Sequence, residues 1–212
     1  MQAKARLRMA AVVVAAAMVA AGSACSDDGE SGSGSTSTTA PAGPHAVESA
    51  KDRFAVDLPA GWEHFLIDAA TIERLFQEAG DKIDQAIANQ IRTLVGRRGV
   101  LFAYDRAHRT TNLNVLKLTS TPGTTVEQLA QSLPAELSKE LADVTVETVT
   151  LASGTAVKAT GSKPLESGKR LFQLQYYVIA GDALFITVLA TDDAARDRPA
   201  LEGIGQSFGL LP

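Results

Sequence analysis

The chain has 212 residues with a formal net charge of −4; 45% of them are apolar, 5% aromatic and 21% charged. This acidic balance argues against a nucleic-acid-binding protein, which needs clustered Lys and Arg to neutralise phosphates. The single cysteine excludes an internal disulfide, so a folded domain must be held together by its apolar core.

The N-terminus has the pattern of an export signal. An uncharged apolar run over residues 9–21 follows three basic residues, Lys4, Arg6 and Arg8. The run is shorter than the roughly 20 residues that a helix needs to cross a bilayer, so it is expected to direct export and then to be removed. We predict a signal peptide over residues 1–24.

The signal ends in three small residues and a cysteine, Gly22, Ser23, Ala24 and Cys25. This ending resembles the lipobox of bacterial lipoproteins, in which the cysteine is acylated, with palmitate among its lipids, and becomes the new N-terminus. Acylation would also give the lone cysteine a role. The alternative is ordinary cleavage after Ala24, with Cys25 incidental.

Residues 25–48 are predicted to form a tether that carries the lipid on Cys25. From Ser26 to about Ala46 the composition is mainly Ser, Gly, Thr, Asp, Pro and Ala, with no Phe, Trp or Tyr and no large aliphatic residue. Such a segment buries too little apolar surface to offset the entropy lost on ordering, so we assign it no fold.

Residues 49–212 have the length of one domain and contain no internal repeat. An alternating strand over 54–58 runs into a turn at 59–62. Apolar residues then recur at steps of three and four from Ile72 to Val95, which predicts a helix or a helix pair. The segment 96–99, with a glycine at each end, supplies the helix stop.

The second half alternates predicted strands with one more helix. Residues 100–104 and 113–118 have strand character, and an apolar face over 125–141 predicts a helix that Pro134 should kink or split. Two further strands, 144–151 and 155–160, are joined by the short connection 152–154.

The clearest hairpin joins residues 171–180 to 183–191 through Gly181 and Asp182, a pair that suits a type II′ turn. That turn places Tyr177 opposite Ile186 on one face and Val178 opposite Phe185 on the other. Both faces are largely apolar, so both must be covered, and a last helix ending near residue 208 helps to cover them. We predict an α+β fold with an antiparallel sheet covered by helices on both faces, an α/β/α sandwich.

Four short segments carry a family resemblance: residues 54–62, 112–115, 175–181 and 206–208. Together they resemble the PsbP-like fold, in particular the actinobacterial lipoproteins of the LpqN type. The resemblance implies an antiparallel sheet between helices and a non-enzymatic accessory or binding protein. None of the segments is a catalytic signature, so function follows only by analogy.

Two glycine motifs have simpler structural interpretations. Residues 205–209 match the G-x-S-x-G of hydrolases, but a nucleophile elbow lies between strand and helix and is followed by an acid and a histidine. Only three residues follow, so we predict that Ser207 ends a helix. Residues 96–99 match the G-x-x-G of some RNA-binding domains, but an exported acidic protein is not expected to bind RNA. Two glycines just past an apolar stripe are the usual end of a helix.

Histidines and acidic pairs do not predict a metal centre or a general base. His45 falls in the tether, and His64 and His108 lack ligand-like spacing. The acidic pairs at positions 81 and 84 and at positions 192 and 193 stand where helices begin, where a carboxylate stabilises the helix dipole. We predict no catalytic residue, no metal and no cofactor.

The candidate binding residues are Trp62, Tyr176 and Tyr177, because aromatic rings with a polar tip are favoured in interfaces and pockets. Core packing is the alternative for all three.

The sequence therefore predicts a lipoprotein at the outer face of the cytoplasmic membrane, anchored through Cys25, that binds an envelope protein or a ligand. Two alternatives remain: a carrier of a lipid or another apolar molecule, and an envelope hydrolase. A carrier requires an apolar cavity beneath Ile83 and Ile87. We favour solid packing of the Ile72–Val95 stripe on the sheet, and hence a protein-binding module.

Overall fold

The computed structural model describes residues 43–68 and 85–212. The strands are β1 (His45–Ser49), β2 (Phe54–Leu58), β3 (Trp62–Leu66), β4 (Gly99–Asp105), β5 (Asn112–Thr119), β6 (Ala142–Leu151), β7 (Gly154–Pro164), β8 (Arg170–Ala180), β9 (Ala183–Thr191) and β10 (Gly209–Leu210). The helices are α1 (Gln85–Gly96), α2 (Val126–Leu137) and α3 (Ala194–Gln206). None of these helices has the length and apolar character needed to span a bilayer.

The strands form two sheets. Seven of them make a large antiparallel sheet in the order β3-β4-β5-β9-β8-β7-β6, and three make a small one in the order β1-β2-β10. The α+β class and the antiparallel sheet are thus confirmed.

Each face of the large sheet is covered, as predicted. On one face the core contains Phe54 and Val56 of the small sheet and Leu201 and Ile204 of α3. On the other face α2 packs over the half of the sheet that includes β6 and β7, and α1 packs over β4. The small sheet lies in the same layer as α3. The sequence did not predict this small sheet.

The central hairpin has the predicted register. Tyr177 lies opposite Ile186, and Val178 lies opposite Phe185. Gly181 has a φ of +61°, whereas Asp182 has no positive φ, which agrees with a type II′ turn.

Helix α2 is shorter than predicted. Thr125 caps its start in a reciprocal capping box with Gln128, but the helix ends at Leu137 rather than at 141. It continues for one turn through Pro134, so the predicted split does not occur. Only one backbone hydrogen bond is lost to the proline, and the helix ends before the next turn begins. Leu141 lies beyond the helix and is still buried.

Helix α1 covers one end of the large sheet. Its Ile87, Ile91 and Leu94 are buried against Phe102 and Tyr104 of β4. The helix stops where predicted, since Arg98 adopts a φ of +59°, and a Cβ on Gly99 would lie 2.8 Å from the Leu94 Cβ. Val95, which the predicted stripe placed on the buried face, is 43% exposed.

The earlier part of the stripe, including Ile72 and Ile83, lies outside the described residues, as do Asp81 and Asp84. The predicted cavity or solid packing beneath Ile83 therefore stays a prediction.

Candidate functional site

The face of the large sheet that carries α1 and α2 has four buried carboxamide side chains near its centre. Asn112 and Asn114 belong to β5, and Gln173 and Gln175 belong to β8. Their exposed fractions are 0%, 2%, 1% and 4%. We call these four residues the amide ladder. Uncharged polar groups at this depth call for an explanation, because apolar side chains pack there without losing hydrogen bonds to water.

Strand geometry brings the four residues together. Side chains two positions apart point to the same face of a sheet, so each pair occupies one face of its strand. Strand β9 runs between them: Ala190 lies opposite both Asn112 and Gln173, and Val188 lies opposite both Asn114 and Gln175. The two pairs therefore flank a narrow apolar strip.

Hydrogen bonds run along each side of this strip. On β8, the Tyr177 hydroxyl donates to Gln175 Oε1, and Gln175 Nε2 donates to Gln173 Oε1 at 3.0 Å. On β5, Asn114 Nδ2 donates to Asn112 Oδ1 at 3.1 Å, and Asn112 Nδ2 donates to the carbonyl of Thr110 at 3.1 Å. These bonds hold the carboxamides in defined orientations.

Each side of the ladder nevertheless ends in an unpaired atom. Gln173 Nε2 is a donor without an acceptor, and Asn114 Oδ1 is an acceptor without a donor. A buried polar atom without a partner costs about 1–3 kcal/mol of stability. The site thus offers one donor and one acceptor, on opposite sides of β9.

The ladder has no means of proton transfer. Carboxamides do not titrate in the physiological range and are poor nucleophiles. Burial raises the pKa of Tyr177 far above its ordinary value, so its hydroxyl stays protonated. Among the described residues, no three His, Cys, Asp or Glu side chains lie together as a metal site would need.

The three aromatic residues singled out in the sequence are buried. Trp62 and Tyr176 lie in the core beneath the small sheet and α3, with exposed fractions of 4% and 1%. Tyr177 is on the opposite face, where its hydroxyl ends the β8 side of the amide ladder. A binding role for Trp62 and Tyr176 stays a prediction, whereas Tyr177 belongs to the candidate site.

The sequence patterns did not lead to a prediction of the amide ladder. Its signal was present: two pairs of carboxamides, each at alternate positions within strands that are otherwise largely apolar. The two pairs do not stand out as one site in the sequence, because 58 residues separate Asn114 from Gln173 in the chain and only the pairing with β9 joins them.

Ser207 has a structural position at the end of α3. Its hydroxyl donates to the carbonyl of Ile204 at 2.7 Å and accepts the backbone N–H of Asp57 at 2.9 Å. It follows a helix rather than a strand, unlike the serine of a nucleophile elbow. Ser207 therefore fastens α3 to β2. At the other end of α3, Asp193 caps the helix by accepting the N–H of Arg196.

The histidines occupy two separate places. His108 is exposed and pairs with Asp105, its Nδ1 lying 3.0 Å from Oδ2. His45 and His64 lie together with ring centroids 5.5 Å apart, and neither ring nitrogen of His45 has a hydrogen-bond partner. Their contact connects β1 of the small sheet to β3 of the large one.

We expect this histidine pair to make stability fall at mildly acidic pH. Burial, and then the neighbouring His45, lower the pKa of His64 below its ordinary value, against a smaller opposing effect of Glu63. The unfolded chain therefore binds the proton more readily, so stability is full above about pH 6.5 and decreases as the pH falls below it. Because His64 is only partly buried, the loss should be modest, up to about 1 kcal/mol.

Urea unfolding at pH 7.5 and pH 5.5 measures this effect. His64→Gln should remove much of the difference between the two values, whereas His108→Gln, at an exposed position, should retain it. Equal pH dependence in His64→Gln and the unaltered chain would show that another group is responsible.

No protein-family model matches the sequence, and no curated protein is similar to it by sequence. Among solved structures, a protein from Bacteroides thetaiotaomicron is similar with a TM-score of 0.50 at 10% identity, over 81% of this chain and 50% of that chain. This chain thus spans about half the length of that protein. At such low identity the likeness concerns the fold alone.

Two further solved structures are similar at lower scores. The cyanobacterial PsbP (CyanoP) of Synechocystis has a TM-score of 0.42 at 14% identity, over 84% of this chain and 98% of its own. LpqN of Mycobacterium tuberculosis, involved in cell envelope biogenesis, has a TM-score of 0.46 at 14% identity, over 80% and 91%. PsbP-like proteins are thus among the structural neighbours, but the sequence does not support an LpqN-type identity, and neither likeness bears on function.

Proposed function

We propose that this chain is a non-enzymatic binding module of the bacterial cell envelope, held at the outer face of the cytoplasmic membrane by lipid on Cys25. The observation that carries the binding role is the amide ladder. It leaves one donor and one acceptor unpaired in the interior of the domain, and its own residues contain no nucleophile and no general base. Such a site suits recognition without chemical change.

The anchoring role is supported by the sequence. Residues 1–25 combine a basic start, an apolar run and a lipobox-like end, and the following segment has the composition of a flexible tether. These residues lie outside the described part of the chain. Acyl chains on a cysteine attach a protein stably to a bilayer when two or more are present.

The two alternatives are less well supported. An apolar cargo seated on the ladder would leave Asn114 Oδ1 and Gln173 Nε2 without partners, and this penalty disfavours a carrier of lipids at this site. A hydrolase that used Ser207 would have to free a hydroxyl that connects α3 to β2.

Cys25→Ala should move the protein from the membrane fraction to the soluble fraction, because it removes the only acylation site while leaving residues 49–212 unchanged. The measurement combines cell fractionation with intact-mass analysis of the mature protein. Circular dichroism should give the same spectrum for both proteins. Ser26→Ala, a change at the next position that retains the cysteine, should stay in the membrane fraction with its lipid.

A mature protein that begins at Cys25 with no added lipid mass would contradict the anchoring part of the proposal. It would leave the binding part standing, since the amide ladder lies in the domain.

A further inference from the structure

We propose that a second site, separate from the amide ladder, binds a small zwitterion with an apolar body, such as an apolar amino acid or a short apolar peptide with free termini. The site is an open cleft of about 380 Å³ between the small sheet and the tip of the β8–β9 hairpin. It lies on the opposite face of the large sheet from the ladder, so this inference goes beyond the proposed function.

The walls of the cleft come from the two layers of the fold. Arg53, which directly precedes β2, and Leu210 of β10 belong to the small-sheet side, and residues 180–183 form the hairpin side. Phe185 of β9 lines the cleft from the large sheet and is itself buried. The cleft is open to solvent, unlike the amide ladder, since Arg53 and the two turn residues of the hairpin are exposed.

The cleft has room for an apolar group. Ala180, Ala183 and Leu210 are only partly buried and pack against the edge of the core. The volume of about 380 Å³ lies near the lower end of the range of roughly 300–1,000 Å³ that is usual for small-molecule sites. An apolar side chain of a ligand would remove these residues from water, which favours binding.

Four charged residues line the cleft, two of each sign. Asp52 and Lys117 neutralise each other, because Lys117 Nζ donates to the Asp52 carbonyl at 3.2 Å and lies 3.4 Å from Asp52 Oδ1. Arg53 and Asp182 remain. Within the described part of the chain, neither of these two side chains has a hydrogen bond or an ion pair. The cleft therefore has one unpaired cation and one unpaired anion, on opposite walls.

This arrangement of charges suits a zwitterion. A ligand carboxylate can accept two hydrogen bonds from the Arg53 guanidinium, while a ligand ammonium group pairs with Asp182 across the cleft. A simple anion would meet the like charge of Asp182, and a simple cation would meet that of Arg53. Because the wall charges cancel, we expect a ligand whose own charges cancel as well.

The backbone of Arg53 supports a role for its side chain. Its φ is +63°, a left-handed conformation that is unfavourable for a residue with a Cβ and that glycine adopts more readily. Arg98 has a similar conformation, with a φ of +59°, but there the guanidinium donates to the Thr119 hydroxyl at 3.4 Å. Arg53 has no such bond within the described residues, so the carboxylate of a ligand would supply its partner.

Titration calorimetry of the full chain in micelles of an uncharged detergent tests the chemistry of the ligand. The zwitterionic probes are leucine and leucyl-leucine, and the tighter of the two tells whether the cleft takes an amino acid or a peptide. N-acetyl-leucyl-leucine lacks the ammonium group, and leucyl-leucinamide lacks the carboxylate. We expect a zwitterionic probe to bind, and each blocked peptide to bind at least about tenfold more weakly than leucyl-leucine.

Two variants test the assignment of the charges. Arg53→Gln and Asp182→Asn should each weaken the binding of the zwitterion at least about tenfold. Arg53→Gln should also bind leucyl-leucine and leucyl-leucinamide equally, since the partner of the carboxylate is gone, and Asp182→Asn should no longer distinguish leucyl-leucine from its N-acetyl form. Arg98→Gln is the matched control: it changes an exposed-region arginine of the same backbone conformation outside the cleft, and its affinity should equal that of the unaltered chain.

Three results would overturn the proposal: no binding of either zwitterionic probe, equal binding of a blocked peptide to the unaltered chain, or unchanged affinity in Arg53→Gln and Asp182→Asn when both are folded by circular dichroism. These results are separate from the fate of the membrane anchor and of the amide ladder. Lipid on Cys25 can be present while the titration fails, and the titration can succeed when no lipid is found.

Discussion

Gly205→Ala should lower the free energy of unfolding by about 3 kcal/mol, because the new methyl group has no space. A Cβ at this position in α3 would lie 2.0 Å from Cε2 and 2.6 Å from Cδ2 of Tyr176. The Tyr176 ring is 1% exposed and packed in the core, so it cannot move aside without displacing its neighbours. Helix α3 can approach the sheet this closely only where the side chain is a hydrogen atom.

Gly203→Ala is the matched control in the same helix, since a Cβ there meets nothing within 4 Å. It should be neutral or stabilise the domain by up to about 1 kcal/mol, because alanine favours a helix more than glycine does. Both values come from urea unfolding. Adding Tyr176→Leu to Gly205→Ala should recover part of the loss. Equal stabilities of the Gly205→Ala and Gly203→Ala variants would contradict the close contact.

Asp197→Ala should destabilise the domain by about 2–4 kcal/mol, because this carboxylate joins α3 to two strands. Its Oδ2 accepts the hydroxyls of Thr111 and Thr191, each at 2.6 Å, and its two oxygens pair with Arg196 at 2.6 and 2.7 Å. Asp197 is 8% exposed. Alanine would leave the two buried threonine hydroxyls without this acceptor.

Because of the same carboxylate, the stability of the domain should depend on pH in the acidic range. Hydrogen bonds from Arg196 first, and then from Thr111 and Thr191, hold the pKa of Asp197 well below its usual range despite burial. The unfolded chain therefore takes up the proton at higher pH than the folded one, so the contribution is present above about pH 4 and is lost as the pH falls further. The difference between the unaltered chain and Asp197→Ala should accordingly shrink at low pH.

Glu136→Gln supplies the comparison for this second prediction. It removes an exposed ion pair with Lys139 and should change stability by well under about 1 kcal/mol. Unfolding curves at pH 7 and pH 3.5 for the unaltered chain, Asp197→Ala and Glu136→Gln measure both the loss of stability and its decrease at low pH. If Asp197→Ala were as mild as Glu136→Gln, the carboxylate would not be holding α3 to the sheet.

The sequence by itself determined the features that depend on neighbouring residues. Gly181 and Asp182 set the turn and hence the register that pairs Tyr177 with Ile186. Thr125 and Asp193 marked the starts of two helices, since a side-chain oxygen at that position accepts a free backbone N–H. The alternation of apolar residues on both faces of the hairpin required two covering layers, and both are present.

Other features were decided only by the tertiary structure, because they bring together residues that are distant in the chain. The small sheet joins β10 at the C-terminus to β2 near the start of the domain, and so short a strand has no pattern of its own. The space that Gly205 leaves for Tyr176 is equally invisible in the sequence. The amide ladder is the clearest case: each Asn or Gln pair is an ordinary polar pair in its own strand, and becomes a site only because β9 pairs with both β5 and β8.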